Sequence, residues 1–414
     1  MNILFCNPPR MSGFGVASVH THEVVNGLLQ QGHKVVLISA DKTQDDDGMR
    51  PQKLSFWSHL RALVFYSPKV PSPLRGLIIG SWITFHEIIL FSSASVAIIR
   101  HKEKFDVLYR RASLLNSQYF LAKIFHIPLV EEVNGIASDE ARVAKQGFGL
   151  LWWIASRIEN FSLSKADAII VVTPNLKNIL HQKYRIKEDK ITIIANGADT
   201  ELFKPMDSTQ AKQLLGLSPD KHYICFVGSL TRWQGVEDLI TSFSVINDQF
   251  PETRLLIVGD GEMKPVLITL TQNLNLADKV IFTGMASHSK IPLYMNASDI
   301  CAAPKKGLES GYSPLKLFEY MACGKAVVAS RASGLEIIEE SGGGILVEPG
   351  NINELTNSII KLYKDEYLRI KMGELGRKYI IQNQSWEIVA KKVAGVCQKL
   401  ISKQSKNKSS PTTS

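Results

Sequence analysis

At 414 residues the chain is too long for one small hydrophobic core, so two domains are expected. Its composition, 45% hydrophobic and 21% charged, is that of a soluble globular protein. A formal net charge of +9 indicates an anionic partner. Nucleic acid is disfavoured because no basic run is interleaved with aromatic residues, which leaves the acidic inner face of a membrane as the better candidate.

The cysteines indicate a reducing compartment. The chain has five, none of them in a CxxC pair and most of them in apolar runs, so we expect buried, reduced thiols in a cytoplasmic protein. No Cys/His cluster has the spacing of a metal site, so no metal cofactor is expected. The apolar run that follows Met1 is too short for a signal peptide.

The first half of the chain alternates apolar strands with amphipathic helices, a pattern that predicts a parallel α/β sheet. A glycine-containing loop at 12–15 follows the first strand and precedes a helix over 16–31, which Gly32 ends. Strands are expected at 3–6, 34–38, 106–109, 128–133, 168–172 and 191–194.

A second run of the same alternation meets a glycine, Gly228, after its first strand. Two doubly wound domains leave a crevice at the carboxyl ends of their sheets. Segment 196–218, rich in turn formers, is expected to link the two runs. The last strong helix is predicted over 385–401, and the polar segment 402–414 is predicted to be disordered. Strands are expected at 223–227, 255–259, 280–282, 299–301, 326–329 and 345–347.

The insert at 55–99 interrupts the alternation. Its apolar run 77–99 is long enough to span a bilayer, but His86 and Glu87 lie at the centre, where a charge is costly in lipid. We therefore expect one or two helices rather than a membrane span. Two interpretations of these helices stay open, a packed layer or lid and an interfacial surface that contacts an anionic membrane peripherally.

Segment 307–330 carries the most informative pattern in the chain. A turn at Ser313-Pro314 is followed by a short apolar helix that contains Glu319, and then by a buried strand. A helix that begins after such a turn presents free backbone N–H groups and the positive end of its dipole, which suit a diphosphate. A carboxylate one turn further along can accept hydrogen bonds from two vicinal sugar hydroxyls. The segment therefore predicts half of a nucleotide-sugar site.

Further motifs precede this segment in a fixed order. They are Gly13-Phe14-Gly15 with His20, Glu132-Val133-Asn134-Gly135, Asn196-Gly197-Ala198-Asp199, the loop 227–236, and Phe282-Thr283-Gly284-Met285. With these motifs the chain resembles the GT-B glycosyltransferases of family 4, over nearly its whole length. Members of that family are retaining enzymes that use nucleotide sugars and build cell-surface glycans.

The resemblance implies a fold of two Rossmann-like, doubly wound α/β domains, the GT-B fold, with a cleft between them. The first domain, on the acceptor side, is expected to span 1–197 and to be joined by the helix 385–401, which crosses back to it. The second domain, which binds the nucleotide sugar, is expected to span 198–384. Segment 402–414 would follow as a disordered tail.

The resemblance also implies which residues hold the donor. Glu319 matches the family's glutamate that binds the ribose, and backbone groups of Gly284 and Met285 would contact the nucleotide base. The donor-binding set expected on this basis is Gly13, Gly15, Gly228, Ser229, Arg232, Gln234, Gly284, Met285, Gly311, Tyr312, Ser313, Pro314, Leu315 and Glu319.

Two positions of the donor site depart from the family's pattern. Most relatives carry Arg and Lys where this chain has Ser229 and Gln234, so Arg232 and Lys316 are expected to provide the positive charge. The family's first glutamate is replaced by Gly311. Either the nearby Glu309 reaches the donor sugar, or the branch relies on backbone N–H groups of 312–315, which is the interpretation we prefer.

On the acceptor side, His20 matches a histidine common in the family, and Asn134 stands where many relatives have histidine. Asparagine cannot act as a general base near neutral pH, but it can orient a sugar hydroxyl. If a base is needed on this side, Glu132 or Glu131 is expected to be that base.

The resemblance therefore implies a hexosyl- or glycosyltransferase (EC 2.4). It would move a sugar from a UDP- or GDP-sugar to a hydroxyl of a glycan or lipid-linked acceptor, in the synthesis of a surface polysaccharide or glycolipid. Departure of the diphosphate would be stabilised by preorganised charges without a metal. The alternatives are an epimerase or phosphorylase of the same fold, or a non-catalytic scaffold protein. The residues expected to carry catalysis are Glu309, Arg232, Lys316 and Asn134.

Overall fold

The structure is a computed structural model that describes residues 1–7, 16–39, 72–101, 104–113, 115–136, 149–306 and 315–409. The chain divides into two compact units. The first unit comprises Met1–Ile194 together with Ala390–Ser414, and the second comprises Ala195–Val389. These bounds differ by a few residues from those expected from the sequence. Each unit is built on one parallel sheet.

The first unit holds a six-stranded parallel sheet in the order β2-β1-β3-β4-β5-β6. Every residue of β3 and β4 is buried, which is typical of parallel strands covered by helices on both faces. The strands are β1 (Asn2–Asn7), β2 (Lys34–Ser39), β3 (Val107–Arg111), β4 (Leu129–Val133), β5 (Ala168–Val171) and β6 (Ile191–Ile193). The helices are α1 (Val16–Gln30), α2 (Ser72–Arg100), α3 (Gln118–Ile124), α4 (Gly149–Ser164) and α5 (Pro174–Gln182).

The second unit holds a six-stranded parallel sheet in the order β12-β11-β10-β7-β8-β9. Side chains alternate between two hydrophobic clusters, with Cys225 on one face of the sheet and Phe226 on the other. The strands are β7 (His222–Val227), β8 (Thr253–Val258), β9 (Val280–Gly284), β10 (Ile300–Ala303), β11 (Ala326–Ser330) and β12 (Gly344–Val347). The helices are α6 (Ser208–Leu214), α7 (Val236–Gln249), α8 (Lys264–Asn273), α9 (Ile291–Asn296), α10 (Leu315–Ala322), α11 (Ile337–Glu340), α12 (Ile352–Lys364) and α13 (Glu366–Asn383).

The strand order of the second sheet changes direction between β7 and β10, which are neighbours in space. The chain leaves β7 toward β8 on one side, and it leaves β10 toward β11 on the other. A crevice at the carboxyl ends of the strands forms at such a switch point. The backbone amide of Lys306, after β10, donates to the carbonyl of Trp233, after β7, at 3.1 Å. This topology places the residues after β10 beside the loop after β7.

The apolar run of the insert lies within one helix, α2, which spans Ser72–Arg100. Leu90 and Ala94 of α2 are buried, and the carboxylate of Glu87 lies 3.0 Å from the guanidinium of Arg110 on β3. The carboxylate of Glu87, which interrupts the apolar run, is therefore buried because it forms an ion pair with Arg110. None of the helices in the described part of the chain is long and apolar enough to cross a membrane. Residues 55–71 of the insert lie outside the described residues.

The last helix, α14, spans Trp386–Ser409 and corrects the prediction of a disordered tail for residues 402–409. Those residues contain no apolar side chain, but lysine and glutamine are good helix formers and continue a helix that has already begun. The helix begins in the second unit, and its residues from Ala390 onward belong to the first unit, as predicted.

Candidate functional site

Two loops at the carboxyl edge of the second sheet approach each other so closely that glycine is required. Gly259, after β8, has a φ of +142°, and a Cβ on it would lie 2.0 Å from the carbonyl oxygen of Gly228. A Cβ on Gly261 would lie 2.5 Å from the carbonyl oxygen of Leu230. The glycines therefore hold the loop after β7 against the loop after β8. This contact fixes the position of the predicted donor-binding residues of the first loop.

Gly228 also leaves room for an ammonium group. Its φ is +145°, and a Cβ there would lie 2.7 Å from the Nζ atom of Lys316. That Nζ atom lies 4.0 Å from the ring centroid of Phe226 on β7, within the range of a cation–π interaction. The glycine predicted for this loop thus lets Lys316, from the first turn of α10, reach the end of β7.

Two lysines converge on the side chain of Gln234. The Nζ atom of Lys305, just after β10, donates to Oε1 of Gln234 at 2.5 Å, and the Nζ atom of Lys316 donates to the same oxygen at 2.9 Å. Because an ammonium group only donates hydrogen bonds, the amide oxygen has to face both lysines. Lys305 and Gln234 are buried, and Lys316 is partly buried. The positive charge absent from position 234 therefore arrives from two other elements.

The surroundings of these two lysines lower the pKa of both side chains. Burial lowers the pKa of Lys305 to about 7. Burial and the charge of Lys305 hold the pKa of Lys316 well below its usual range, and the attraction of Glu319 opposes this shift only in part. Neighbouring buried cations are costly to charge unless an anion joins them. The arrangement therefore suits a negatively charged group such as a diphosphate.

Glu319 lies one turn after Lys316 on α10 and is buried. Its Oε1 atom is 3.3 Å from Nε2 of His288, a residue of the turn before α9. Burial raises the pKa of Glu319, while the hydrogen bond to His288 and the charge of Lys316 act in the opposite direction. The His288 side chain is 37% exposed, and its ring centroid lies 5.2 Å from that of Phe203. Glu319, the residue predicted to bind the ribose, is thus within hydrogen-bond distance of a histidine whose side chain is partly exposed.

The other predicted donor-binding residues differ in how exposed they are, and some lie outside the described residues. Ser229 and Arg232 are exposed on the loop after β7, and Leu315 is buried at the start of α10. Gly284 accepts a hydrogen bond from the amide of Gly259, and the side chain of Met285 beside it is 73% exposed. Seven predicted site residues lie outside the described residues: Gly13, Gly15, Glu309, Gly311, Tyr312, Ser313 and Pro314.

In the first unit the three predicted acceptor-side residues lie together. Nε2 of His20 is 3.2 Å from Oε1 of Glu132, and the side-chain amide of Asn134 donates to the same oxygen. The hydroxyl of Tyr109 donates to Oε2 of Glu132 at 2.6 Å. Burial alone would raise the pKa of Glu132, but the charges of His20 and Arg111 and the hydrogen bonds from Tyr109 and Asn134 hold it below its usual value. A carboxylate with a lowered pKa is a weak base, so this geometry suits Glu132 to orienting His20 and Asn134.

Glu131 belongs to a different cluster on the other face of β4. Its Oε1 atom accepts hydrogen bonds from Arg110, at 3.2 Å, and from the side-chain amide of Asn116. Arg110 also pairs with Glu87 of α2, and both Arg110 and Glu131 are fully buried. Burial raises the pKa of Glu131 to about 7. The contacts of Glu131 therefore connect β4 to β3 and α2 and leave it apart from His20 and Asn134.

The remaining reactive groups to consider are potential metal ligands and the cysteine thiols. Across the described ranges, no group of three or more His, Cys, Asp or Glu side chains could hold a metal ion. The cysteines are buried free thiols, as predicted, and burial raises the pKa of Cys225 to about 12. Cys225 therefore carries no charge near neutral pH, although it lies close to Lys316.

Sequence reasoning missed Lys305 and His288. Lys305 precedes Lys306, and such a pair normally indicates a solvated loop. The available signal was topological: in a Rossmann-type sheet the fourth strand lies beside the first, so the residues after β10 adjoin the loop after β7. No sequence pattern pointed to His288, because its contact with Glu319 is made between separate elements.

Comparison with known proteins identifies two matching family models. Residues 17–202 match the model described as Glycosyltransferase Family 4, and residues 207–379 match the model described as Glycosyl transferases group 1. The first range contains the cluster around Glu132, and the second contains the cluster around Gln234.

The curated relatives are distant. The N-acetyl-alpha-D-glucosaminyl L-malate synthase of Bacillus anthracis is 28% identical over 223 residues, which cover 54% of this chain and 57% of that protein. A glycosyltransferase of Methanocaldococcus jannaschii is 28% identical over 254 residues, which cover 61% of this chain and 63% of that protein. The matched part of the chain thus spans less than two thirds of the length of either relative.

Solved structures share the fold over nearly the whole chain. Sucrose-phosphate synthase from Thermosynechococcus elongatus superposes with a TM-score of 0.73 at 19% identity, covering 97% of this chain and 99% of that one. The Anabaena protein HepE, solved in complex with UDP, superposes with a TM-score of 0.67 at 20% identity, covering 96% and 100%. At such low identities the likeness shows the fold, two Rossmann-like domains, and nothing finer.

Proposed function

Since the chain belongs to the group 1 glycosyltransferases of family 4 and has the GT-B fold, we propose that it moves a sugar from a UDP- or GDP-sugar to a hydroxyl group, with retention at the anomeric carbon. The acceptor in this proposal is a glycan or a lipid-linked glycan of a surface polysaccharide or glycolipid.

The observation that carries the donor assignment is the cluster of Lys305, Gln234 and Lys316 at the switch point of the second sheet. The diphosphate bears the negative charge of a nucleotide sugar, and its departure is the step that needs stabilisation. Lysines already held in place by Gln234 would stabilise the developing charge without reorganising during the reaction. The exposed Arg232 on the same loop could add a planar fork of donors to the phosphate oxygens.

Glu319 is assigned to the ribose. It lies on the same helix as Lys316, at the spacing that places two side chains on one face, so the ribose and the diphosphate of one nucleotide can reach both. A carboxylate accepts hydrogen bonds from two vicinal hydroxyls at once. The backbone around Gly284 and Met285 would contact the base.

The acceptor is assigned to the cluster around Glu132 in the first unit. Glu132 holds His20 and Asn134 at one of its oxygens, which preorganises both for hydrogen bonds with a sugar hydroxyl. The leaving phosphate would then help to deprotonate the acceptor on the same face of the sugar. This assignment gives Asn134 an orienting role, which needs no proton transfer.

The relatives suggest which compounds to test first. HepE was solved with UDP and with UDP-glucose, so UDP and its sugars come before GDP. The names of two relatives refer to L-malate and to D-inositol 3-phosphate, so small hydroxyl compounds belong in the acceptor panel beside glycans.

The proposal includes a peripheral contact with an anionic membrane. The helices α2, α3 and α4 of the first unit expose large apolar side chains, and the Nζ atom of Lys165 lies 4.8 Å from the ring centroid of Phe161. Apolar and basic side chains on neighbouring helices suit the interface of an anionic membrane. The exposed apolar residues on these helices are Phe85, Ile88, Val96, Ile99, Phe120, Ile124, Trp153, Ile154, Ile158 and Phe161.

The function is tested with a panel of nucleotide sugars and hydroxyl acceptors. We expect one donor to be consumed only when an acceptor is present, and NMR of the product to show the anomeric configuration of the donor. Inversion of that configuration would contradict the mechanism. Rearrangement of the sugar nucleotide without transfer would indicate an epimerase, and failure of both UDP and GDP to bind at millimolar concentration would indicate a scaffold protein.

A further inference from the structure

We infer that Tyr320 positions α10 against the loop after β7, because its buried hydroxyl accepts a hydrogen bond from the last amide of that strand. The inference rests on the proposed donor site and adds a positioning residue to it. The amide nitrogen of Val227 lies 2.7 Å from the hydroxyl oxygen of Tyr320, and both residues belong to the hydrophobic cluster on the Cys225 face of the sheet. The Tyr320 side chain has no exposed surface, so no water competes for this hydrogen bond.

The amide of Val227 needs this partner because β7 and β10 separate at their carboxyl ends. In a parallel sheet, successive amides of one strand point alternately to its two neighbouring strands. The amide of Gly228 donates to a carbonyl of β8 at 2.9 Å, so the amide of Val227 points to the side of β10. The pairing of β7 with β10, however, ends at Cys225 and Cys301. The hydroxyl of Tyr320 therefore takes the place that a carbonyl of β10 would occupy in a continuous ladder.

The helix that carries Tyr320 also carries two residues assigned to the donor. Glu319 and Tyr320 follow Lys316 by three and four positions, so the three side chains leave the same side of α10. The Nζ atom of Lys316 lies beside Gly228, where a Cβ would be 2.7 Å from it. Tyr320 holds the residue just before that glycine. The hydrogen bond of Tyr320 thus fixes the distance between α10 and the loop after β7, which is the space assigned to the diphosphate.

Removing the hydroxyl of Tyr320 would change this distance. It leaves a buried amide without a partner, which is costly. The end of β7 is then expected to shift toward β10, because closing the gap between the two strands gives the amide of Val227 a carbonyl partner. Gly228 would move with it and narrow the space for the diphosphate. The base and the ribose are assigned to the end of β9 and to Glu319, so nucleoside binding is expected to be spared.

The experiment is isothermal titration calorimetry of the full chain and of Tyr320→Phe with UDP and with uridine, and with GDP in parallel. The variant keeps the aromatic ring and loses only the hydroxyl. UDP affinity is expected to fall about tenfold, while uridine affinity is expected to stay unchanged. Unchanged UDP affinity in the variant, or an equal fall for UDP and uridine, overturns the inference and leaves the donor site intact. Failure of the wild type to bind either diphosphate overturns the donor site on which the inference rests.

The matched control is Thr356→Val, which removes another buried hydroxyl from the same unit. The hydroxyls of Thr356 on α12 and Ser242 on α7 lie 2.9 Å apart, and these two helices pack on the other face of the second sheet. Both variants are expected to lower the melting temperature, because each loses a buried hydrogen bond. Only Tyr320→Phe is expected to weaken UDP binding. An equal loss of UDP affinity in the two variants would assign the effect to general loosening of the unit and overturn the inference.

If Tyr320→Phe does not fold, hydrogen exchange of the Val227 amide in the wild type decides, measured by NMR. A buried, hydrogen-bonded amide exchanges slowly, and this exchange is expected to slow further when UDP binds between α10 and the loop after β7. Exchange as fast as that of the amide of Ser229, an exposed residue of the loop, overturns the inference. A rate that saturating UDP leaves unchanged overturns it as well.

Discussion

Gln234 holds two lysines at one oxygen, and neither lysine comes from its own loop. A family motif that carries lysine at this position places the charge directly on the loop. This chain places an uncharged acceptor there and brings ammonium groups from the end of β10 and from α10. Burying lysines in this way lowers stability, since the charged form is poorly solvated. A residue that lowers stability but occupies the switch point of a sheet is a candidate for ligand binding.

Lys316→Met separates the function of this lysine from its contribution to stability. The variant keeps an unbranched side chain of similar length but removes the buried amine, so the melting temperature is expected to stay the same or rise. UDP affinity is expected to fall tenfold or more, which corresponds to about 1.4 kcal/mol. Lys306→Met is the control, with both quantities unchanged. A lower melting temperature with unchanged affinity would assign Lys316 to the core instead.

Glu319→Gln tests the ribose assignment. The amide can still form a hydrogen bond with His288, so the fold is expected to be intact, but its NH₂ group cannot accept a second ribose hydroxyl. Affinity for UDP and for uridine is expected to fall by a similar factor, because both contain the ribose. Lys316→Met, in contrast, is expected to weaken UDP and spare uridine. If Glu319→Gln weakened UDP alone, the carboxylate would act on the phosphates and the ribose assignment would be wrong.

At the scale of elements, the loops after β7 and β8 form a backbone-to-backbone contact that fixes one side of the candidate site. The sequence pointed to Gly228 as a residue at the ligand. The structure shows that Gly228 also gives space to Lys316, and that Gly259 gives space to Gly228. The loop glycines therefore fix the position of neighbouring groups at the candidate site, and contact of Gly228 with a ligand stays a prediction.

Gly259→Ala is expected to destabilise the protein by about 2–4 kcal/mol, measured as the free energy of unfolding in urea. The new Cβ would lie 2.0 Å from a carbonyl oxygen, at a φ of +142° that only glycine adopts readily. The control is Gly395→Ala on α14, where nothing lies within 4 Å of the added atom. That helical substitution is expected to stabilise by about 0.5–1 kcal/mol. An unfolding free energy for Gly259→Ala within about 0.5 kcal/mol of the wild type would refute the close contact.

At the scale of the whole molecule, the alternation of apolar strands with amphipathic helices along the chain was enough to predict both sheets. Parallel strands are buried on both faces, so most of them appear in the sequence as a short apolar run such as that of β11, Ala326–Ser330. The pairing of Lys305 with Gln234 could not be read in the same way, because it depends on which strands are neighbours in space. The helix over 402–409 was missed because helix propensity, and not an apolar stripe, continues it.

The membrane proposal also belongs to the whole molecule, because it depends on three helices presenting apolar side chains together. Replacing Ile158 and Phe161 of α4 by serine is expected to lower binding to vesicles that contain anionic lipid, and added salt is expected to lower the binding of the wild type. The control is Val266→Ser on α8 of the second unit, another exposed apolar residue. Equal vesicle binding by the wild type, the double variant and Val266→Ser would show that this surface does not bind the membrane.

The measurement that tests the central claim most directly is a crystal structure of the chain with UDP bound. We expect phosphate oxygens within hydrogen-bond distance of the Nζ atoms of Lys305 and Lys316, and the ribose hydroxyls on the carboxylate of Glu319. UDP bound elsewhere, with neither lysine in contact with a phosphate oxygen, would contradict the account.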